Sequence, residues 1–249
     1  MSQQLLTSNE IGTLTGLTSS GDFTINGLTV GKGGGSVPTN TSLGVSALVA
    51  NTTGYSNSAF GWNALAANTD GYRNNAFGKQ SLVANTSGYR NNAFGEFALY
   101  SNITGQDNVG VGHQALYGNT TASQNTAVGY QAGYTNSTGT RLAYFGYQAG
   151  TLATGNYNTA IGAYSFYQAT SGTDNTMVGD GSGGGISTGS YNTGVGRQVF
   201  ANNTMTGSYN TALGTQALFN NSTASNSTAL GYQASYNSNG SNNVAIGSQ

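Results

Sequence analysis

Residues able to carry out chemistry are sparse in this 249-residue chain. His113 is its only histidine, cysteine is absent, and seven Asp and Glu are spread along its length. Glycoside hydrolysis needs two carboxylates about 5–9.5 Å apart, and two pairs lie close enough in sequence to be considered: Glu96 with Asp107, and Asp174 with Asp180. With acids this scattered, polysaccharide depolymerisation is the weakest functional reading, and we expect no catalysis, no cofactor and no metal. One histidine without cysteine is no zinc site, and the lack of cysteine excludes disulfides. The run Gly179-Asp180-Gly181-Ser182-Gly183-Gly184-Gly185 has the look of a phosphate loop, but it lacks a Lys-Ser/Thr pair and a following helix.

Aromatic side chains are the better chemical lead. Tyr55, Tyr72 and Tyr89 recur at 17 residues, Tyr157, Tyr191 and Tyr209 fall one position along, and Trp62, Tyr130, Tyr147 and Tyr232 share a third position. A flat apolar ring with a polar tip suits stacking on sugars. The plain alternative is that these columns only stabilise the fold.

What would position such residues is a repeat. Glycines 44, 61, 78, 95, 112, 129, 146, 162, 179, 196, 214, 231 and 247 are spaced by 16 to 18 residues, most often 17. A large apolar residue precedes each of these anchors: Leu43, Phe60, Phe77, Phe94, Val111, Val128, Phe145, Ile161, Val178, Val195, Leu213, Leu230 and Ile246. Four residues before the anchor stands Asn57, Asn74, Asn91, Asn108, Asn125, Asn158, Asn175, Asn192, Asn210 or Asn243, with Leu142 and Ser227 as exceptions. Strand-like alternation before each anchor, an Ala-Leu pair after it and Asn/Thr/Gly turns between them predict an all-β fold. It is a β-solenoid, or parallel β-roll, of about thirteen 17-residue coils with two short strands per coil. Stacking places residue i over residue i+17, so the asparagines can form an amide ladder. The same register pairs Arg90 with Asp107, and Glu96 with Lys79 and His113.

The alternation also predicts which side chains point inward. The apolar residue before each anchor and the Leu after it are expected to form the core, together with the Thr column of Thr126, Thr159, Thr176, Thr193, Thr211 and Thr228. Phe77→Asp would then abolish folding. Ala and Gly positions such as Ala76, Gly78, Ala93 and Gly95 are expected to form the seam of a homotrimer. A Thr column of this kind also raises an ice-binding solenoid, ranked low because the column is expected to face inward. Gly183 replaces the core Leu of its coil, which marks a soft spot or small loop.

Composition bounds the partners. Only 5% of residues are charged and the net charge is −1, against roughly a quarter charged in an ordinary soluble chain. Little electrostatic attraction remains for nucleic acid or anionic lipid. MSQQLLTSNE has neither the basic start nor the apolar run of a signal peptide, and no stretch approaches a membrane span. Residues 1–41 read as an attachment or assembly segment: Phe23–Ile25 and Leu28–Val30 flank Asn26-Gly27, a strong hairpin signal, and Lys32 to Ser36 reads as a flexible joint. Residues 42–249 are the repeat domain. The sequence stops at NNVAIGSQ, halfway through a coil, so continuation into a distal domain or docking on another chain is expected to cover that edge.

The segments NTAVGYQA at 125–132 and STALGYQA at 227–234 resemble the head repeats of trimeric autotransporter adhesins, and still more the repeat arrays of bacteriophage tail-fibre proteins. The resemblance covers residues 42–249. It implies a left-handed, trimeric parallel β-roll that presents an adhesive surface. The expected function is therefore a structural fibre protein of a phage particle, engaged in host-surface adhesion. It would join other virion proteins through residues 1–41 and contact a host glycan or protein. The head of a bacterial surface adhesin is the alternative, with the cell surface in place of the virion.

Overall fold

In the computed structural model, which describes residues 22–25, 28–202 and 204–248, the 17-residue period becomes the step of a parallel β-solenoid. One continuous 15-stranded sheet keeps its strands in sequence order. It begins with β1 (Phe23–Ile25) and β2 (Leu28–Gly31), an antiparallel pair in which Phe23 faces Val30. β2 then pairs antiparallel with β3 (Thr41–Gly44), and β3 opens a parallel series that runs through β4 (Ser58–Phe60) to β15 (Val244–Ile246). Adjacent strands lie about 4.8 Å apart, so the stack is about 60 Å long. The Asn26-Gly27 turn lies outside the described residues.

From β4 onward each described coil contains one three-residue strand, not two. The Ala-Leu pair after the anchor was expected to be extended, but Ala64 and Leu65 are both fully buried. Successive residues of a pleated strand point to opposite faces. Turning two neighbours inward requires a left-handed residue, and Leu65 has φ 52°. Leu48, Leu82, Leu99, Leu116 and Leu218 repeat this conformation, with φ between 49° and 54°. A bulky side chain seldom adopts it. Burial and backbone bonds to the next coil hold it here: Leu82 N–H donates to Ala98 O at 3.1 Å and Leu99 N–H to Ala115 O at 2.9 Å.

The interior face of the strand is the reverse of the expected one. Ala59, Ala76, Ala93 and Ala127 are fully buried, whereas Phe60, Phe77, Val111, Val128 and Val178 are half-buried and Phe94, Phe145, Ile161, Val195, Leu213, Leu230, Leu43 and Ile246 are exposed. The columns are in the expected register: Phe60, Phe77 and Phe94 stack at 4.6 and 4.9 Å, but on the outer face. The reason is width. Each coil is so thin that its two walls share one layer of side chains, and a Leu on the turn wall leaves room only for Ala on the strand wall. With the pleat inverted, Thr126, Thr159, Thr176, Thr193, Thr211 and Thr228 face outward as well. Ala76 and Ala93 lie inside the roll and cannot form a seam between chains.

Exceptions to the small-residue rule show the same constraint. Tyr144 replaces Ala on the strand wall and is fully buried; the coils on either side of it carry Gly133 and Gly150 where Leu would stand. A Cβ on Gly133 would approach Leu116 Cδ2 to 2.9 Å, and one on Gly150 would meet the Tyr144 ring. Met177 likewise fills the space left by Gly183, so this coil is closed and packed instead of soft. Interiors fill to crystal-like density, and here one large side chain fills the space between the strand wall and the turn wall in most coils. The Tyr144 hydroxyl is buried beside the Asn158 side chain without a hydrogen bond of good geometry, and burial pushes its pKa up. Tyr144→Phe should therefore be neutral or raise the melting temperature. Tyr144→Ala should cost about 3–5 kcal/mol by leaving a cavity. Thermal melts of the two variants check this, and a loss on Tyr144→Phe would contradict it.

Asparagines line one end of every typical coil. Asn74 N–H donates to Asn57 Oδ1 at 2.9 Å, Asn91 N–H to Asn74 Oδ1 at 3.0 Å and Asn108 N–H to Asn91 Oδ1 at 3.0 Å; Asn125, Asn175, Asn192 and Asn210 continue the pattern. Asn158 Nδ2 donates to Gly172 O at 2.8 Å. A second ladder, unforeseen in the sequence, runs beside the first: Asn85 Nδ2 donates to Asn68 Oδ1 and Asn102 Nδ2 to Asn85 Oδ1, both at 2.8 Å. The two share acceptors, since Asn91 and Asn102 both donate to Gly105 O. Buried amides are tolerated because nearly every donor finds an acceptor.

At the N-terminal end the glycines after Lys32 pack against the first coil. Gly34 N–H donates to Leu48 O at 2.9 Å, and a Cβ on Gly33 would come within 2.8 Å of Leu48. The Asp22 carboxylate accepts from Lys32 N–H at 2.6 Å and Gly33 N–H at 2.9 Å.

Candidate ligand-contact surface

The aromatic residues singled out in the sequence occupy the outside of the turns. Tyr55, Tyr72 and Tyr89 form one stack with centroids 4.9 and 4.7 Å apart, and Arg90 lies 4.9 Å over the Tyr89 ring. Tyr191 stacks on Tyr209 at 4.9 Å, whereas Tyr157 pairs with Arg141, whose Nη1 donates to its hydroxyl at 2.7 Å. On another edge Tyr130 stacks between His113 at 5.4 Å and Tyr147 at 5.1 Å. Trp62 carries Lys79 over its ring at 5.8 Å, and Tyr232 is exposed. Interplanar angles within the stacks stay between 2° and 11°. Parallel rings one coil apart cover one another's faces, so the stacked columns offer edges and hydroxyls to solvent, not the open faces that sugar stacking uses.

A further stack was missed. Tyr100, Tyr117 and Tyr134 lie five residues after their anchors, at spacings of 4.9 and 5.1 Å. Between this stack and the His113–Tyr130–Tyr147 stack runs the residue two after the anchor. Its place is fixed by the coils in which it is aromatic: Phe97 touches Tyr100 at 5.7 Å, His113 at 6.0 Å and Tyr117 at 6.5 Å, while Tyr164 touches Tyr147 at 5.3 Å and Tyr167 at 5.7 Å. In the three coils between Phe97 and Tyr164 this position is Gln114, Gln131 and Gln148. The recurring Gln-Ala dipeptide was visible in the sequence; that it lies between two tyrosine columns was not.

Charges are few, and among the described residues some of them pair. Lys79 Nζ lies 2.9 Å from Glu96 Oε1, and His113 Nε2 lies 4.0 Å from Glu96 Oε2. The hydrogen bond from Lys79 and its charge hold the Glu96 carboxyl below its usual pKa. Arg90 pairs with Asp107 at 2.7 Å, and Arg197 with Asp180 at 3.5 Å. Exposed pairs of this kind contribute little to stability. Desolvation raises the pKa of the Tyr117 and Tyr147 hydroxyls, which keeps them protonated as neutral donors. Among the described residues no cluster of His, Asp or Glu could hold a metal ion, and no helix is long and apolar enough to cross a membrane.

Shallow depressions lie at the two ends of the stack. One is lined by Ala234, Ser235 and Ala245 to Ser248, the other by Asp22, Gly33, Gly34, Ala47 and Val49. The chain matches no family model, no curated protein and no solved structure.

Proposed function

We propose that this solenoid is the shaft of a trimeric adhesive fibre, of the kind carried by phage particles, with other virion proteins bound through residues 1–41. One observation carries the proposal: the outer face of the strands is an unbroken stripe without a single charged residue. Its two columns run from Thr41 and Leu43 through Asn75 and Phe77, Thr126 and Val128, and Thr193 and Val195 to Val244 and Ile246. Phe94 is 41% exposed, Ile161 42% and Leu213 47%. Apolar surface of such length marks an interaction site. Three copies, each turning this wall to a common axis, would cover it, and in-register stacking would bring Phe60, Phe77 and Phe94 of all three chains together. The resemblance of the repeats to tail-fibre arrays supports the threefold choice and the virion location. A host glycan or protein would then meet the turn edge that carries Tyr130 and Tyr147, which stays on the outside. Light scattering should give three times the 25.3 kDa chain mass. A monomer at micromolar concentration would sink the proposal.

The outward Thr column favours a second reading. Thr159, Thr176, Thr193, Thr211 and Thr228 form a regular array beside Ile161, Val178, Val195, Leu213 and Leu230, and such an array suits the ordered water of an ice surface. A trimer would hide this face, so the readings exclude each other. A monomer with thermal hysteresis would establish the second, and a trimer without it the first.

A further inference from the structure

The strip between the two tyrosine stacks has a chemistry of its own. Gln131 Nε2 donates to Gln114 Oε1 and Gln148 Nε2 donates to Gln131 Oε1, both at 2.8 Å. A primary amide has two N–H donors and two acceptor lone pairs. The ladder takes one of each from Gln131, so one donor and one acceptor remain. The same step is kept by the rails on either side: Tyr130 to Tyr147 and Tyr117 to Tyr134 are both 5.1 Å. Phe97 and Tyr164 close the strip at its ends. Each is turned by 68° or more from its stacked neighbours, so no parallel ring covers them, but Lys79 Nζ lies 5.0 Å over the Phe97 ring, and Tyr164 is the end ring without a cation on it among the described residues.

We infer that this strip binds a neutral, linear polysaccharide laid along the rod, with one sugar unit to each amide rank. Sugar hydroxyls both donate and accept, as the free half of each amide does. The coil step of about 5 Å is comparable to the advance of an extended chain per pyranose ring. Recognition is by amides, tyrosine hydroxyls and ring edges along the strip, with the Tyr164 ring at one end and the Phe97 ring, under Lys79, at the other. No charged side chain lies among the three glutamine ranks, and the cation at their end, Lys79 over Phe97, is already paired with Glu96, so an acidic polymer would gain little. The inference rests on the adhesive reading and names its ligand class.

The test is binding of the full chain to an array of immobilised neutral and acidic polysaccharides, followed by titration with fragments of the best binder. Neutral polymers should bind with little dependence on salt, and affinity should rise from one sugar to three and then level off. Tyr164→Ala and Gln131→Asn should each weaken binding about tenfold through lost contacts. Asn suits the left-handed backbone at Gln131, φ 53°, so the second variant keeps the fold while withdrawing the amide. Tyr209→Ala, in an exposed stack without an amide bed, should leave binding within about twofold. No neutral binder on the array, binding of acidic polymers alone, or equal loss with Tyr209→Ala would overturn the inference. A trimer that fails to bind sugar sinks only this inference; a monomer that binds it sinks only the trimeric fibre.

Discussion

Gly95→Ala is expected to destabilise the solenoid by about 3 kcal/mol or more, because two independent penalties coincide. Gly95 has φ 140°, a region that is essentially closed to residues with a side chain. A Cβ there would also stand 2.5 Å from Gly112 O and 2.7 Å from Gly112 C, in the backbone of the next coil. Backbone cannot move aside as a side chain can. The two coils would have to part where Gly112 N–H donates to Phe94 O and Leu99 N–H to Ala115 O. In a stack where each coil touches only its neighbours, such a fault is felt first at that step. Thermal melting should fall by roughly 6–12 °C, and hydrogen exchange should speed up around residues 92–116 before the ends. Gly181→Ala is the control. Gly181 has φ 61°, and the nearest atom to its Cβ is Gln198 Cγ at 3.6 Å. That position is left-handed in other coils too, where it holds Asn63, Gln80 or Phe97. Its cost should stay within about 1–2 kcal/mol. Equal losses in the two variants would mean that anchor glycines are not required by close coil contact.

A carboxylate at Leu99 should prevent the array from folding as a unit, while the same change at Phe77 should leave it folded. Leu99 is fully buried, and its side chain faces the interior wall beneath Gly110. Leu99→Asp would place a charge there without a partner, a cost of several kcal/mol even after protonation. Phe77 lies half-buried on the outer face between Phe60 and Phe94. Phe77→Asp forfeits two ring contacts, about 1–3 kcal/mol in all, and leaves the new carboxylate in water. Circular dichroism should show a retained β spectrum for Phe77→Asp and its loss for Leu99→Asp. Light scattering should show the folded Phe77→Asp chain as a monomer, since in the proposed trimer three carboxylates would meet at the common axis. Were Phe77→Asp as damaging as Leu99→Asp in dilute solution, the outward assignment of the phenylalanine column would be wrong.

Much of the fold was legible in the sequence because stacking turns chain position into spatial position. The 17-residue spacing of the anchors, the pairing of Arg90 with Asp107 and of Lys79 with Glu96, and the columns of Phe, Tyr and Asn all follow from register alone. What period cannot reveal is which way a column faces. Alternation assigns Ala76 and Phe77 to opposite faces but leaves open which face is the interior. Hydrophobicity favours Phe, and hydrophobicity is overruled by the width of the coil: in a typical coil the space between the two walls admits one large side chain, and Leu82 takes that place from the other wall. Tyr144 between Gly133 and Gly150, and Met177 before Gly183, recorded this exchange of volume in the sequence, but it has meaning only once the two walls are known to share a layer. The left-handed backbone at Leu65 and its equivalents was equally hidden, since no local preference of Leu favours it and only the burial of two successive residues requires it. Gln131 reads as a polar turn residue in isolation. Its place in an amide bed between tyrosine columns was decided by the closing of the turn, which brings residues two and five after each anchor to the same edge.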